Sequence, residues 1–451
     1  MERPASCRTS AARRRSFAVA SIGFTLALTC AFAWADPGTP AWEERFDAGS
    51  VFSDAVPIQP SSSAVLDQTY FVAGSFTFRG SPGSNADIHV RAYAAGNGVL
   101  RWESIWAPSG SDDQAVGLVA LDRTIVVAGR TGLNSTGNNA FVVRAFNAAD
   151  GGTLWQDQCG TSSRPGANSI AALSGRVFVG GDCGPASDGN TGLLRAYATR
   201  SGRLLWEVRD ADSPLVVAAS GKKVFELSGD ASGALSLRAY DAARGTALWE
   251  TQVAVPGTQF FPRLTAGGDA AYVAWETGTS EGTVRGIAAY SARNGAGLWQ
   301  ADPGDRVTAL AWAPGRLFAG KSRGDSLLTA YDARNGAVRW QDQPGTVPAS
   351  LSAEAVTVSG GRLYLAGRSF DSSVEDAANW LVRAYTLQGR LLWQDDQPDT
   401  NQLDADATNV VVGAGRVISA GSSGRDTPPF GNLQWVLRAY DATGGNQHPF
   451  R

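Results

Sequence analysis

Histidine, methionine and lysine are almost missing from this chain. Of 451 residues, 2 are His, 1 is the initiator Met and 4 are Cys. Lys occurs only at positions 222, 223 and 321, so Arg carries nearly all of the positive charge. His89 and His448 stand far apart, and neither a two-His metal motif nor a Ser/His/Asp arrangement can be drawn from them. No Cys-x-x-Cys-His haem site occurs, which removes the usual support for a cytochrome reading. What is present is 53 Gly, 14 Trp and 43% hydrophobic residues with 18% charged, enough to bury a large core and unlike a disordered or collagen-like polymer.

Residues 1–35 read as an export signal. Arg3, Arg8, Arg13, Arg14 and Arg15 precede an apolar run from Phe17 to Ala33, and Ala33-Trp34-Ala35 offers a small-x-small cleavage pattern. The run falls short of the roughly 20 strongly apolar residues that a membrane-spanning helix needs. The mature chain is therefore expected over 36–451, without a transmembrane span, in a periplasmic or extracellular setting. Ordinary secretion is preferred to the twin-arginine route suggested by Arg14-Arg15-Ser16-Phe17. A lipid anchor at Cys30 is disfavoured because Ala27 and Thr29 depart from a lipoprotein box. Without the signal, 34 basic and 41 acidic residues remain, since five Arg and Glu2 leave with it, and the formal charge moves from −3 to −7. An acidic surface without basic runs argues against nucleic acid as a partner.

One motif recurs eight times, most plainly as LRAYDAARGTALWETQ at 237–252 and LTAYDARNGAVRWQDQ at 328–343. Its aromatic centres, Tyr93, Phe146, Tyr197, Tyr240, Tyr290, Tyr331, Tyr385 and Tyr440, are spaced by 53, 51, 43, 50, 41, 54 and 55 residues. A Trp follows the first seven of them, as Trp102, Trp155, Trp206, Trp249, Trp299, Trp340 and Trp393. Short β-rich runs closed by Gly-bearing turns precede each centre, and the Asp/Asn/Gly stretch before each Trp is hairpin-like. Four short antiparallel strands per unit is the make-up of a propeller blade. The eighth unit stops before its Trp, while Trp42-Glu43-Glu44 near the other end copies Trp102-Glu103 and Trp249-Glu250. The fold expected is thus all-β: an eight-bladed propeller of four-stranded antiparallel blades, closed by an N-terminal strand around Trp42.

The pattern x-Ala-Tyr-Asp-Ala-x-x-Gly-x-x-x-Trp resembles the pyrroloquinoline quinone (PQQ) type β-propeller repeat, a family that includes quinoprotein dehydrogenases and the outer-membrane assembly propeller. The resemblance implies that the repeat Ala and Trp dock on one another between neighbouring blades. It decides little about activity, because one fold hosts many functions.

The remaining motifs yield structural expectations first. The eight repeat Trp, from Trp42 to Trp393, are read as blade packing rather than stacking platforms. Arg91, Arg144, Arg195, Arg238, Arg383 and Arg438 precede the Ala-Tyr or Ala-Phe pair, and cation–π packing on the repeat Trp is expected of them. Cys159 and Cys183 are expected to form a disulfide, since an exported chain with one remaining pair usually bonds it. In the blade scheme both emerge on one face. Asp112-Asp113, Glu375-Asp376, Asp395-Asp396 and Asp404-x-Asp406 are read as solvated turn residues rather than a calcium site. Arg323-Gly324-Asp325 and Asn134-Ser135-Thr136 are short enough to arise by chance.

The loop between the second and third strands is read as long in blades 1, 2, 7 and 8, which are neighbours in a closed ring, and short in blades 3, 4 and 6. That crescent, with Phe76, Phe78, Arg79, Asn138, Asn139, Phe370, Asp371, Glu375, Arg425, Asp426 and Phe430, is the candidate binding surface. The function expected is a non-enzymatic exported scaffold that binds a protein or envelope component and needs no cofactor. The alternative is a PQQ- and Ca²⁺-dependent quinoprotein dehydrogenase.

Overall fold

The computed structural model describes residues 38–442 except for 48–59, 78–85, 109–111, 133–139, 161–165, 185–191, 211, 231–232, 254–257, 280–281, 323–325, 343–350, 371–377, 398–403 and 426–430. Residues 1–37 with Cys30, both short chance motifs, Glu375-Asp376 and the loop residues Phe78, Arg79, Asn138, Asn139, Asp371, Asp426 and Phe430 lie outside the described residues. The side chains of Phe76 and Arg425 do so as well.

Thirty-two strands form eight antiparallel blades. Strand β1 (Trp42–Asp47) precedes blade 1, which is β2 (Pro60–Leu66), β3 (Thr69–Thr77), β4 (Ala86–Ala94) and β5 (Leu100–Trp106). Blade 2 is β6 (Gln114–Leu121), β7 (Thr124–Thr131), β8 (Ala140–Asn147) and β9 (Thr153–Cys159). Blade 3 is β10 (Gly166–Leu173), β11 (Arg176–Asp182), β12 (Gly192–Ala198) and β13 (Leu204–Asp210). Blade 4 is β14 (Ser213–Ser220), β15 (Lys223–Gly229), β16 (Leu235–Asp241) and β17 (Ala247–Val253). Blade 5 is β18 (Thr258–Gly267), β19 (Ala270–Thr279), β20 (Gly282–Ser291) and β21 (Gly297–Ala301). Blade 6 is β22 (Arg306–Ala313), β23 (Arg316–Ser322), β24 (Leu328–Asp332) and β25 (Val338–Asp342). Blade 7 is β26 (Leu351–Ser359), β27 (Arg362–Phe370), β28 (Ala378–Thr386) and β29 (Leu391–Gln397). Blade 8 is β30 (Asp404–Gly413), β31 (Arg416–Arg425) and β32 (Gly431–Asp441), completed by β1, with Trp42 opposite Ala439. Ring closure by the N-terminal strand is therefore as the sequence predicts.

Each strand's composition follows its place in the blade. Middle strands such as β8, AFVVRAFN, are buried on both faces because every blade is covered by two neighbours. Outer strands such as β9 alternate, with Gln156 and Gln158 exposed and Trp155 and Asp157 half-buried. The apolar interior is accordingly split into eight clusters, one per blade junction, including the junction of blades 8 and 1, where Tyr70 and Val72 meet Ile418 and Trp435. An open ring would leave that last cluster in water. Closure by β1 removes the exposed edge and face together.

The repeat motif supplies the joint between blades, in a form that corrects the expectation. Each repeat Ala stands opposite the Trp of its own blade, as in Ala145 opposite Trp155, Ala239 opposite Trp249, Ala289 opposite Trp299 and Ala330 opposite Trp340. The Trp ring docks instead on the aromatic centre of the next blade. Trp155 stacks on Tyr197 at 5.5 Å, Trp299 on Tyr331 at 6.2 Å, Trp340 on Tyr385 at 6.3 Å and Trp393 on Tyr440 at 5.2 Å. Trp102 and Trp393 are buried, whereas Trp42, Trp155, Trp206, Trp249, Trp299 and Trp340 are only half-buried, because the outer strand that carries each has solvent beyond it. Seven of the eight indoles also donate to a next-blade carbonyl at 2.8–3.2 Å. The turn glycine of the next blade completes the seat. Gly245 has φ +70°, closes the turn that Asp241 caps through the Ala243 and Arg244 amides, and leaves no room for a Cβ, which would lie 2.6 Å from the Trp206 ring. Trp393 is the exception: the Ala442 carbonyl is taken by Arg362 and Tyr364, and the indole N–H has no hydrogen-bond partner among the described residues.

Closure brings His89 into the interior. It lies beside Phe46 of β1, with ring centroids 6.2 Å apart, and its Nδ1 is 3.5 Å from Glu103. Burial pushes the imidazole down to about 4, with Arg91 adding to the shift and Glu103 opposing it. The neutral ring is thus the folded form, and an unfolded chain binds the extra proton between pH 6.5 and about 4. Stability tied to His89 is present above pH 6.5 and is lost as pH falls through that window, by about 3 kcal/mol at its full extent. Acid titration of the unfolding free energy, comparing wild type with His89→Leu, should show a shallower loss in the variant between pH 6.5 and 4.5. Equal slopes would exclude the residue as the source.

Candidate functional site

Antiparallel blades put two kinds of connection on one face: the turn from second to third strand, and the crossover from the outer strand to the next blade. On that face Cys159, ending β9, is bonded to Cys183, just past β11, with Cα atoms 5.4 Å apart. Blades 2 and 3 are stapled there. The two cysteines are separated by 24 residues, so replacing both by Ser is expected to cost about 3 kcal/mol through the loop freedom regained on unfolding. Denaturant unfolding measures that cost, and mass spectrometry without reductant checks the bond.

The connections on this face differ in length from the sequence-based count. Those of blades 1, 2 and 7 fall at 78–85, 132–139 and 371–377. In blade 8, strands β31 and β32 run on and leave only 426–430 between them. Blade 3, expected to be short, connects over 183–191, beside the disulfide. In blade 8 both ends of the expected loop are strand, with β31 reaching Arg425 and β32 starting at Gly431. Among the named loop residues, Phe370 ends β27 half-buried, with the Arg368 guanidinium 5.1 Å from its ring. The remaining ten have no described side chain.

Beneath the loops lies a collar built by irregularity in the inner strands. Every blade has a register shift between its first two strands, for example at Ala167/Ser169, Val307/Ala309 and Ala353/Ala355. The extra residues include Asn168, Thr308 and Glu354, and the first two reach neighbouring blades. Arg130 donates to Asn168 Oδ1 at 2.9 Å, Asn168 Nδ2 donates to the Pro214 carbonyl at 3.0 Å, and Ser213 donates to Asp182 at 2.6 Å. Blades 2, 3 and 4 are thereby tied together next to the disulfide. On the far side, Arg263 donates to the Thr308 carbonyl at 2.5 Å and Thr308 donates to the Ala353 carbonyl. The collar gives the loops a rigid base.

The repeat Arg residues serve the same rigidity by a different route from the one expected. Register sets each Arg opposite the residue after the Trp, as in Arg195 opposite Glu207 and Arg438 opposite Glu43. In blades 3, 7 and 8 the guanidinium then reaches an acid on the preceding blade, which also accepts the Tyr hydroxyl two residues further on. Arg195 and Tyr197 share Asp157 at 2.9 and 2.7 Å, Arg383 and Tyr385 share Asp342 at 3.1 and 2.6 Å, and Arg438 and Tyr440 share Asp395 at 3.2 and 2.6 Å. Cation–π contacts occur where aromatics stand nearby, Arg91 over Phe46 at 3.6 Å and Arg144 over Trp106 at 4.5 Å, and these are not repeat Trp positions. Blade 6 lacks the Arg, having Thr329. There the buried Lys321 Nζ donates to the Pro303 carbonyl at 2.6 Å and to Ser326 at 3.1 Å, with burial pushing its pKa down against the pull of Asp305 and Asp302. The break in the Arg pattern was the sequence signal for this replacement.

The acid pairs expected in solvated turns are mostly structural. Asp112 and Asp113 are buried, and Asp112 accepts the Ala86 amide at 2.7 Å. Asp395 is buried at the junction of blades 7 and 8, while Asp396 accepts from Ser369 at 2.6 Å and Asp406 pairs with Arg368 at 3.8 Å. Among the described residues, no three His, Cys, Asp or Glu side chains converge on a point that could hold a metal ion.

The family model described as outer membrane protein assembly factor BamB, a PQQ-type repeat model, matches residues 139–278 and 280–447. A search of curated proteins finds no match. Among solved structures, BamB from Moraxella catarrhalis is 15% identical, with 91% of this chain and 99% of that one covered at a TM-score of 0.52. Sqt1 from Chaetomium thermophilum is 15% identical over 89% and 100% at 0.58. The quinohemoprotein alcohol dehydrogenase of Comamonas testosteroni is 11% identical over 92% and 78% at 0.54. At such identities the likeness is one of fold.

Proposed function

The chain belongs to the outer membrane protein assembly factor BamB family of PQQ-type propellers, and from that premise we propose that it is an exported, non-enzymatic scaffold that binds a protein or envelope component through its loop face. The observation that carries the reading is the stapled rim, where the Cys159–Cys183 bond joins blades 2 and 3 above a cross-blade hydrogen-bond collar. A rigid base under variable connections suits recognition, since little order has to be created on binding. Pull-down from envelope extract, with wild type beside a variant shortened at 78–85, 133–139, 371–377 and 426–430, tests it. Loss of a specific partner is the expected result, and an unchanged partner set would overturn the assignment to this face.

The dehydrogenase alternative would need oxygen ligands for Ca²⁺, and the described residues bring no such acidic set together. The described residues do not fit that ion, so no step is derived through it or the quinone. Addition of PQQ and Ca²⁺ to purified protein is expected to give neither a bound chromophore nor dye-linked oxidation. Saturable binding with turnover would reverse the order of the two readings.

A further inference from the structure

Blade 5 departs from the other blades at its outer edge. In blade 3 the outer strand covers the third strand along its whole length, to Gly192 opposite Asp210, and in blade 4 it does so to Leu235 opposite Val253. In blade 5, β20 pairs with β19 from Gly282 to Ser291, yet β21 covers only Ile287 to Tyr290. Thr283, Val284, Arg285 and Gly286 therefore pair on one side and face no strand on the other among the described residues. The sequence explains why β21 stops. Asp302-Pro303-Gly304 follows it directly, Gly304 has φ +77°, and its amide is capped by Asp302 Oδ1 at 2.8 Å, so the chain leaves the strand direction, with the Gly304 carbonyl accepting from the Arg285 side chain at 3.4 Å.

The turn leaves a cleft of about 620 Å³ lined by Thr283, Val284, Arg285, Gln300, Asp302 and Gly304 among others. Val284 is 46% exposed there. The uncovered strand is held flat and ready to pair: Trp275 lies against Gly286, where a Cβ would be 2.1 Å from its ring, and Glu276 holds Arg285 at 2.7 Å. Between Thr283 and Gly286 there is no lysine, proline or bulge, and the one charged side chain, Arg285, is paired with Glu276.

We propose that this edge is a binding site for an extended peptide segment of a partner polypeptide, which adds beside Thr283–Gly286 in the place where a longer β21 would lie. The occupant's chemistry follows from what the edge offers. A row of main-chain donors and acceptors at strand spacing is complemented by another extended backbone, and the exposed Val284 beside a partly open cleft gives side-chain selection. The site is in blade 5, outside the long connections of blades 1, 2, 3 and 7, so it stands or falls independently of the loop-face reading.

The probe is the acetylated hexapeptide Glu-Thr-Gln-Val-Ala-Val, the sequence at 250–255, whose first residues form the outer strand of blade 4. With full-length protein and saturating peptide, amide hydrogen exchange at Thr283–Gly286 is expected to slow about tenfold, the effect of a single net hydrogen bond, while a peptide N-methylated at alternate residues gives no protection. Alternate residues of a strand direct their N–H to opposite sides. Of Thr283→Pro and Val284→Pro, one is thus expected to keep the wild-type melting temperature and lose the protection. Unchanged exchange at saturation, equal protection by the methylated peptide, or protection that grows with protein concentration alone, which would mean self-pairing, each overturns the proposal. If neither Pro variant folds, the comparison of the two peptides decides.

Discussion

Asp395→Ala is expected to destabilise the propeller by about 3–5 kcal/mol, the range for leaving one partner of a buried ion pair without the other. The carboxylate accepts from both Arg438 and Tyr440 across the junction of blades 7 and 8, and its side chain is 2% exposed. Burial pushes its pKa above the ordinary carboxylate range even though Tyr440 and Arg438 pull it down, so the charge is held at a cost and the partners are what make it tolerable. Removing it leaves Arg438 with Glu43 at 2.8 Å and the Trp380 ring at 5.1 Å, and leaves the buried Tyr440 hydroxyl, which still accepts from Trp380 at 3.1 Å, without the acceptor for its own proton. Asp395→Asn keeps an acceptor for Tyr440 and should cost less. The repeat offers an internal scale: Asp342 and Asp157 hold the same pair of partners at 20% and 34% exposure, so Ala substitutions should rank Asp395 first, Asp342 second and Asp157 third. Denaturant unfolding of the three variants reads the order. A loss under about 1 kcal/mol at Asp395 would show the pair to be worth no more than a surface one.

Trp102→Ala is the second large effect, also about 3–5 kcal/mol, because a large buried ring is removed from a layer that cannot collapse. Trp102 fills the junction of blades 1 and 2 between Phe71, at 5.8 Å, and Phe146, at 6.3 Å, with the turn glycine Gly151 against its face. Strand pairing holds the two blades apart at a fixed distance, so the neighbours cannot close the gap. The conservative change separates packing from hydrogen bonding. Trp102→Phe forfeits the bond from the indole to the Ala148 carbonyl, whereas Trp393→Phe forfeits none. The first should therefore cost about 1 kcal/mol more than the second in thermal or denaturant unfolding. Equal costs would mean that the indole bond adds nothing beyond shape.

Much of this was legible in residues that are close along the chain. The Tyr-to-Trp spacing encodes one hairpin, its repetition encodes the blade count, and the Trp42-Glu43 copy beside a Trp-less last unit encodes closure. The Cys159–Cys183 pairing followed from the single pair of cysteines left in an exported chain, with strand direction placing both on one face. Loop lengths were less readable, because a polar, Gly-rich stretch can extend a hairpin, as it does in blade 8, and composition alone does not mark it as strand. Asp395 looked like a turn acid because its neighbours are polar. Its burial depends on Tyr440 and Arg438, which lie 45 and 43 residues further along.

The sequence by itself determined the architecture: eight all-β units, their order, the strand that closes the ring and the one disulfide. Those features are written in local periodicity and in copies of a single motif, and local hydrogen bonding and turn chemistry suffice to read them. Only the tertiary structure decided what each repeated residue touches. It set Trp299 and Trp340 opposite the Ala of their own blades and against Tyr331 and Tyr385 of the next, and turned Arg195, Arg383 and Arg438 toward acids of the preceding blade. It also put His89 under the closing strand, gave blade 6 Lys321 in place of Arg, and left the edge of β20 uncovered where Pro303 ends its neighbour. Contacts between blades join residues some forty to fifty positions apart, and the angle and distance at which two sheets pack are properties of the whole ring, which no single repeat contains.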